Sequence, residues 1–190
     1  MNLKSGINEV WPTIVLKGEI DQATLEKVCN SLLINSDIKN PPGDFQSFDI
    51  LHDGCEDIKE FKETVVIPAF EEYLNRMNLS LKNFPSNRLR SWITGTKNGY
   101  MIPIHNHSGS SFSAVFYLLC EEQNKGGELV MLDPRGNANR GYLDEFKPMF
   151  ENLVYKPVSG EYVIFPSYLY HHTNVFNGTL RLAMPVDLFL

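Results

Sequence analysis

The chain has 190 residues, 43% of them hydrophobic and 21% charged, with a formal net charge of −6. This composition fits one soluble globular domain with a sizeable core and leaves little room for a second. The acidic balance gives no general footprint for a nucleic-acid backbone, although Arg88, Arg90 and Lys97 could form a local basic patch.

No stretch reaches membrane-spanning length and the N-terminus has no continuous apolar signal region, so a cytoplasmic protein without a membrane partner is expected. Cys29, Cys55 and Cys120 are odd in number and widely spaced. They make neither a disulfide framework nor a CxxC metal knuckle, and read as small buried apolar residues in a reducing compartment.

In chain order, residues 10–17, VWPTIVLK, read as a short strand. Asp21 is an N-cap acid for a helix over 21–36, with Leu25, Val28, Leu32 and Leu33 on one face. Residues 40–49, NPPGDFQSFD, read as a turn-rich connector. His52, in LHDG, reads as a turn residue. A second helix is expected from Asp57 to Met77, with Ile58, Phe61, Val65, Phe70, Leu74 and Met77 apolar. Pro68 should kink it or divide it.

Near residue 87 the apolar period changes from 3.6 to two. Eight short β-like segments follow: NRLRSWITGTK, YMIPIHNH, SFSAVFYLLC, GELVMLD, ENLVYKP, EYVIFP, HHTNVF and TLRLAMPVDLFL. Turn-forming Gly, Asn, Pro and Ser separate them. The expected architecture is mainly β (α+β): a sandwich or double-stranded β-helix of jelly-roll or cupin type. Residues 1–86 would support one outer face of the 87–190 β core. The long insertion over 134–150 suits a lid or a passive surface loop.

Two of the five histidines, His105 and His107, sit two residues apart in IHNHSGSSFSAVFYL. Along a strand that spacing puts both imidazoles on one face. The segment FPSYLYHHTNVFNGTLRLAM offers a third, His171 or His172, followed by an Asn177-Gly178 turn and Arg181. Three neutral imidazoles can hold a divalent metal with positions left open, and an arginine offers a fixed fork for a carboxylate. Strand phase across a two-residue turn would put His172 on the face of Arg181, whereas a three-residue loop or bulge would put His171 there.

HNHSGSSFSAVFYL, GGELVMLDPR, GEYVIFPSYLYHH and the terminal RLAM strand, taken in this order, resemble the iron(II)- and 2-oxoglutarate-dependent oxygenases, within their prolyl-hydroxylase-like group. The resembling stretch runs from about Trp92 to Phe189. The resemblance implies Fe(II), 2-oxoglutarate as cosubstrate and dioxygen, and it leaves room for ascorbate. His105 matches the first iron ligand of the family's His-x-Asp motif. His107 stands at the aspartate position, either as a ligand in its place or outside a two-histidine centre. The pattern Phe-Pro-Ser-x-Leu-x-His selects His171 as the distal ligand.

By the same resemblance Arg181 binds the distal carboxylate of 2-oxoglutarate. Tyr117 either hydrogen-bonds that carboxylate or is a plain core aromatic. Asp133 and Arg135 are either structural turn groups or substrate contacts, and the structural reading is favoured. The implied reaction is hydroxylation with release of succinate and carbon dioxide. A prolyl or other peptide residue is the substrate by analogy alone. Two other classes stay open: a non-catalytic cupin-like binding module, and a three-histidine metal enzyme that does not use 2-oxoglutarate.

Overall fold

Alternation along the last strand organises the molecule. The computed structural model describes residues 12–34, 38, 44–120, 124–136, 145 and 151–190. Its strands are β1 Leu16–Glu19, β2 Asp44–Phe48, β3 Arg88–Thr96, β4 Phe112–Cys120, β5 Leu129–Met131, β6 Leu153–Tyr155, β7 Glu161–Pro166, β8 His171–Thr173 and β9 Arg181–Phe189. They form two antiparallel sheets, a six-stranded one in the order β1-β7-β4-β9-β3-β2 and a three-stranded one in the order β6-β5-β8. The expected YMIPIHNH strand is present only as isolated bridges, His105 to His171 of β8 and Tyr100 to Phe176 beyond the end of that strand.

Helices cover one face of the large sheet. They are α1 Gln22–Leu33, α2 Ile50–Asp53, α3 Glu56–Phe61 and α4 Ile67–Asn75. On β9, Leu182, Met184, Val186 and Leu188 join Ala114, Phe116 and Leu118 of β4 in a core with Leu25, Val28 and Leu32 of α1 and Phe61, Phe70 and Leu74 of the later helices. Phe61 meets Phe116 edge-on with ring centroids 5.6 Å apart. The alternate residues Val115, Tyr117, Val163, Phe165 and Ala183 pack instead with Leu129 and Met131 of the small sheet. Period two thus sends one side chain to the helices and the next between the sheets.

Asp21 caps α1 as expected, its carboxylate accepting from Thr24 N–H at 3.0 Å. Such a cap contributes about 1 kcal/mol. The expected second helix is divided next to Pro68 into α3 and α4, which a π turn joins without a break in the helical run. Pro68 has no N–H to give to residue 64, and the helix widens over Lys62–Val66 into a π turn in which Ile67 N–H reaches Lys62 O.

Three further expectations need correction. Cys55, read as buried, is exposed, and Cys29 and Cys120 are only partly buried. The connector over 40–49 contains β2, an edge strand paired with β3 from Asp44 opposite Thr96 to Phe48 opposite Trp92. Its Pro and Gly signals precede the strand rather than replace it. The supposed Asn177-Gly178 hairpin is absent, because β8 belongs to the small sheet and β9 to the large one. The segment between them crosses from sheet to sheet, so hairpin phase does not decide which histidine faces Arg181. Residues 10 and 11, 35 and 36, and, within the 134–150 insertion, 137–144 and 146–150 lie outside the described residues.

β9 lies between β4 and β3, yet it carries Pro185. Its ladder with β3 skips the positions where Pro185 would face Trp92 and Met184 would face Ile93. A proline in a central strand removes one ladder donor, and here the interruption falls beside the cavity described next.

Candidate functional site

A cavity of about 350 Å³ opens between the sheets, and its lining includes His105, His107 and His171 together with Tyr117, Arg181 and Trp92. His171 comes from β8 and His105 from the segment bridged to it, backbone N–H and C=O exchanging at 2.8 and 2.9 Å. His107 is held by its own N–H on Ser167 O at 3.1 Å.

The ligand atoms of the three rings all lie within 4.8 Å of one another, and Nε2 of His105 is 3.2 Å from Nε2 of His107. Each Nδ1 has an acceptor on the far side: Pro103 O at 2.8 Å for His105, Leu169 O at 2.9 Å for His171, and Asp187 Oδ1 at 2.5 Å for His107. A carbonyl or carboxylate oxygen can only accept, so every Nδ1 is a donor and every Nε2 is the atom turned inward, available as a ligand when it carries no proton. Burial pushes the His171 imidazole down to about 4, against the opposing bond to Leu169. Burial also lowers His105. Three converging Nε2 atoms fit a divalent metal, which takes imidazole in its neutral form.

His172 stands apart. Only half-buried, its Nδ1 meets Thr173 O at 3.2 Å, and it is neither in the cluster nor in the cavity lining. Strand parity turns it to the opposite face from His171.

Arg181 enters the cavity from the large sheet. It is 4% exposed, its Nη1 donates to Gly127 O, and its guanidinium lies 5.4 Å from the Phe176 ring centroid. No carboxylate among the described residues is within ion-pair distance of it. Glu128 feels the charge of Arg181 only at longer range. A buried guanidinium facing a cavity with no carboxylate in ion-pair contact suits an anionic ligand group. Gly127 makes this placement possible: its φ is +76°, and a Cβ there would collide with Arg181 Nη1. Tyr117 is 3% exposed, lines the same cavity and packs 5.5 Å from the Tyr155 ring. Burial raises its phenol, opposed by the nearby charge of Arg181.

Sequence reasoning missed a polar row behind the histidines. In the register of the large sheet, Ser113 lies opposite Asp187, and Asp187 opposite Arg90. Asp187 is fully buried, accepting from Ser113 Oγ at 2.7 Å and from Arg90 Nη2 at 2.6 Å while it binds His107. Ser167 Oγ is 2.8 Å from the hydroxyls of both Ser113 and Ser110. Burial opposes the charged carboxylate, but the bonds and charges of His107, Arg90 and Ser113 outweigh it and hold Asp187 below the usual range. Asp133 and Arg135, by contrast, pair with each other at an exposed turn.

No helix among the described residues is long and apolar enough to cross a membrane. No curated protein matches the chain in sequence. Its structure resembles a prolyl hydroxylase from Trichoplax adhaerens, solved with a peptide fragment of the hypoxia inducible factor oxygen degradation domain (TM-score 0.64, 15% identity, 93% of this chain and 83% of that one). It also resembles the non-heme alpha-ketoglutarate-dependent epimerase SnoN of nogalamycin biosynthesis (TM-score 0.62, 11% identity, 92% and 78%). A third likeness is to a 2OG-Fe(II) oxygenase family oxidoreductase from Burkholderia pseudomallei (TM-score 0.52, 14% identity); it covers 71% of this chain, which spans 57% of that longer one. At these identities the likeness establishes a β-rich fold with antiparallel sheets and few helices. Residues 90–187, just over half of the chain and including every cavity residue named above, match the profile of the family described as "Putative 2OG-Fe(II) oxygenase". The chain therefore belongs to that family, whose members use iron(II) and 2-oxoglutarate.

Proposed function

We propose that this protein is an iron(II)- and 2-oxoglutarate-dependent dioxygenase that hydroxylates a prolyl or other residue of a peptide or protein. The observation that carries the reading is the pairing of three clustered imidazoles with a buried guanidinium that has no ion-paired carboxylate, in one cavity. A structural metal site alone needs no carboxylate clamp. The two facing sheets are read as the halves of a double-stranded β-helix.

His105, His107 and His171 hold the iron through Nε2, while their Nδ1–H bonds fix each ring's direction. Arg181 receives the far carboxylate of 2-oxoglutarate in its planar fork, and Tyr117 bonds the same group. Val115, Leu129 and Ala183 give the cavity apolar walls that exclude water from the reacting centre. With both bound, the metal and cosubstrate supply the oxidising chemistry, which consumes dioxygen and yields succinate, carbon dioxide and hydroxylated substrate. A peptide substrate is supported by the peptide-bound prolyl hydroxylase among the structural relatives.

The test is succinate release with Fe(II), 2-oxoglutarate and ascorbate, with and without proline-containing peptides. Peptide-stimulated succinate and a product heavier by one oxygen are expected. Stimulated succinate without added oxygen would point to another oxidative outcome, as the epimerase among the relatives illustrates. No succinate under any condition would sink the 2-oxoglutarate reading.

A further inference from the structure

The row behind His107 is more than a way to satisfy a buried carboxylate. Position 107 holds an imidazole where the resembled motif has an aspartate, so the three ligands bring no negative charge of their own. A carboxylate stands one bond further out. Asp187 Oδ1 lies 2.5 Å from His107 Nδ1, on the side of the ring away from the metal-facing Nε2. Cross-strand pairing with Ser113 and Arg90 fixes its position, and no part of it is exposed.

We propose that Asp187 is a positioning residue for the metal centre, acting through His107 to supply from behind the imidazole the negative charge that a carboxylate ligand would place directly on the metal. The inference rests on the metal reading above. Its physics is general: an imidazole whose N–H is given to a carboxylate is a more basic ligand and is held in one tautomer. His105 and His171, whose N–H groups go to neutral backbone carbonyls, gain direction but no such charge.

Arg90 sets the balance. Its guanidinium meets the other oxygen of Asp187, but its side chain is 49% exposed, so water screens it while Asp187 stays dry. Arg90 draws carboxylate charge away from His107. Removing it should leave Asp187 freer to support the bound metal.

The test titrates metal-free full-length protein with cobalt(II) alone, following visible absorption and competition with a chelator. Asp187→Asn keeps the side-chain volume and an acceptor for His107 but removes the charge. It should weaken binding by roughly 10–100-fold, as loss of such a partner typically does, and shift the cobalt spectrum. In a His107→Ala background, whose weaker cobalt binding is titrated directly at millimolar cobalt without chelator, the same change should alter affinity by no more than about twofold, the scatter of independent sites. Equal losses in both backgrounds, or no loss in the first, would overturn the proposal. Should Asp187→Asn fail to fold, Arg90→Gln decides: equal or tighter binding supports the charge relay, and weaker binding overturns it. Failure of the unaltered protein to bind cobalt would remove the metal reading itself, and this inference with it.

Discussion

His171 and Arg181 stand on opposite sheets and face one cavity, the imidazole from β8 and the guanidinium from β9. Because separate sheets position them, metal and cosubstrate binding should separate by mutation. Arg181→Lys keeps the charge but loses the fork, so 2-oxoglutarate binding to metal-loaded protein should weaken while metal affinity is unchanged. Arg181→Ala should cost about 2–5 kcal/mol of cosubstrate binding, as removal of one member of a buried charge pair does. Calorimetric titration of each ligand checks both; unchanged 2-oxoglutarate binding in the two variants would place the clamp elsewhere.

The neighbouring histidines make a sharper pair. His171→Ala should lose stoichiometric iron binding, because it removes one of three converging Nε2 atoms. His172→Ala should bind iron normally, since its ring lies outside the cluster. Metal content after dialysis against a weak chelator distinguishes them, and the reverse pattern would refute the assignment.

Gly127→Ala tests the support of Arg181 without touching Arg181. An added Cβ would meet the guanidinium, and the φ of +76° is one that side-chain-bearing residues rarely adopt. Strain of this kind costs about 1–3 kcal/mol. A lower melting temperature together with weaker 2-oxoglutarate binding is expected, with metal affinity intact. A melting temperature and cosubstrate affinity equal to those of the parent would show that the close approach is unimportant.

Acid should destabilise the metal-free protein in a defined window. Burial holds folded His171 at about 4, below the unfolded value near 6.5, so the unfolded chain takes up the proton first. Stability is fully present above about 6.5, declines as pH falls toward 4, and levels off below it for this group. The loss is on the order of 3 kcal/mol. His105, shifted in the same direction by burial, adds to it. Urea unfolding between these limits provides the measurement. His171→Gln should flatten the slope, and an unchanged slope would argue that the ring is not buried as a neutral group.

Much of this was legible in the sequence, and the parts that were not have physical reasons. The change of period near residue 87 anticipated the β-rich half, and Asp21 announced α1 through its capping chemistry. Local spacing brought His105 and His107 to one face, but parity could not choose between His171 and His172 once a hairpin was assumed that does not form. That choice depends on which sheet each strand joins, which is a non-local fact. The π turn before Pro68 was hidden because a missing N–H can be accommodated by widening as well as by breaking. Asp187 did leave a signal. A lone carboxylate in LRLAMPVDLFL, an even number of residues after Arg181, must share its face if the strand stays regular. Its partner His107 is 80 positions away in sequence, and no local pattern reaches that far.

The alternation along β9 also bears on how such a protein can change over time. One parity of the strand, Leu182, Met184, Val186 and Leu188, anchors the helices; the other, Arg181, Ala183, Pro185 and Asp187, faces the cavity or the row behind it. Point substitutions on the second set can reshape ligand preference while the helix-facing layer keeps its packing. Insertion or deletion of a single residue has no such freedom. It would exchange the two sets, driving a guanidinium and a carboxylate into the apolar layer and turning leucines toward the histidines. Diversification along this strand should therefore proceed by replacement at fixed length, with changes in length confined to the connections beyond its ends.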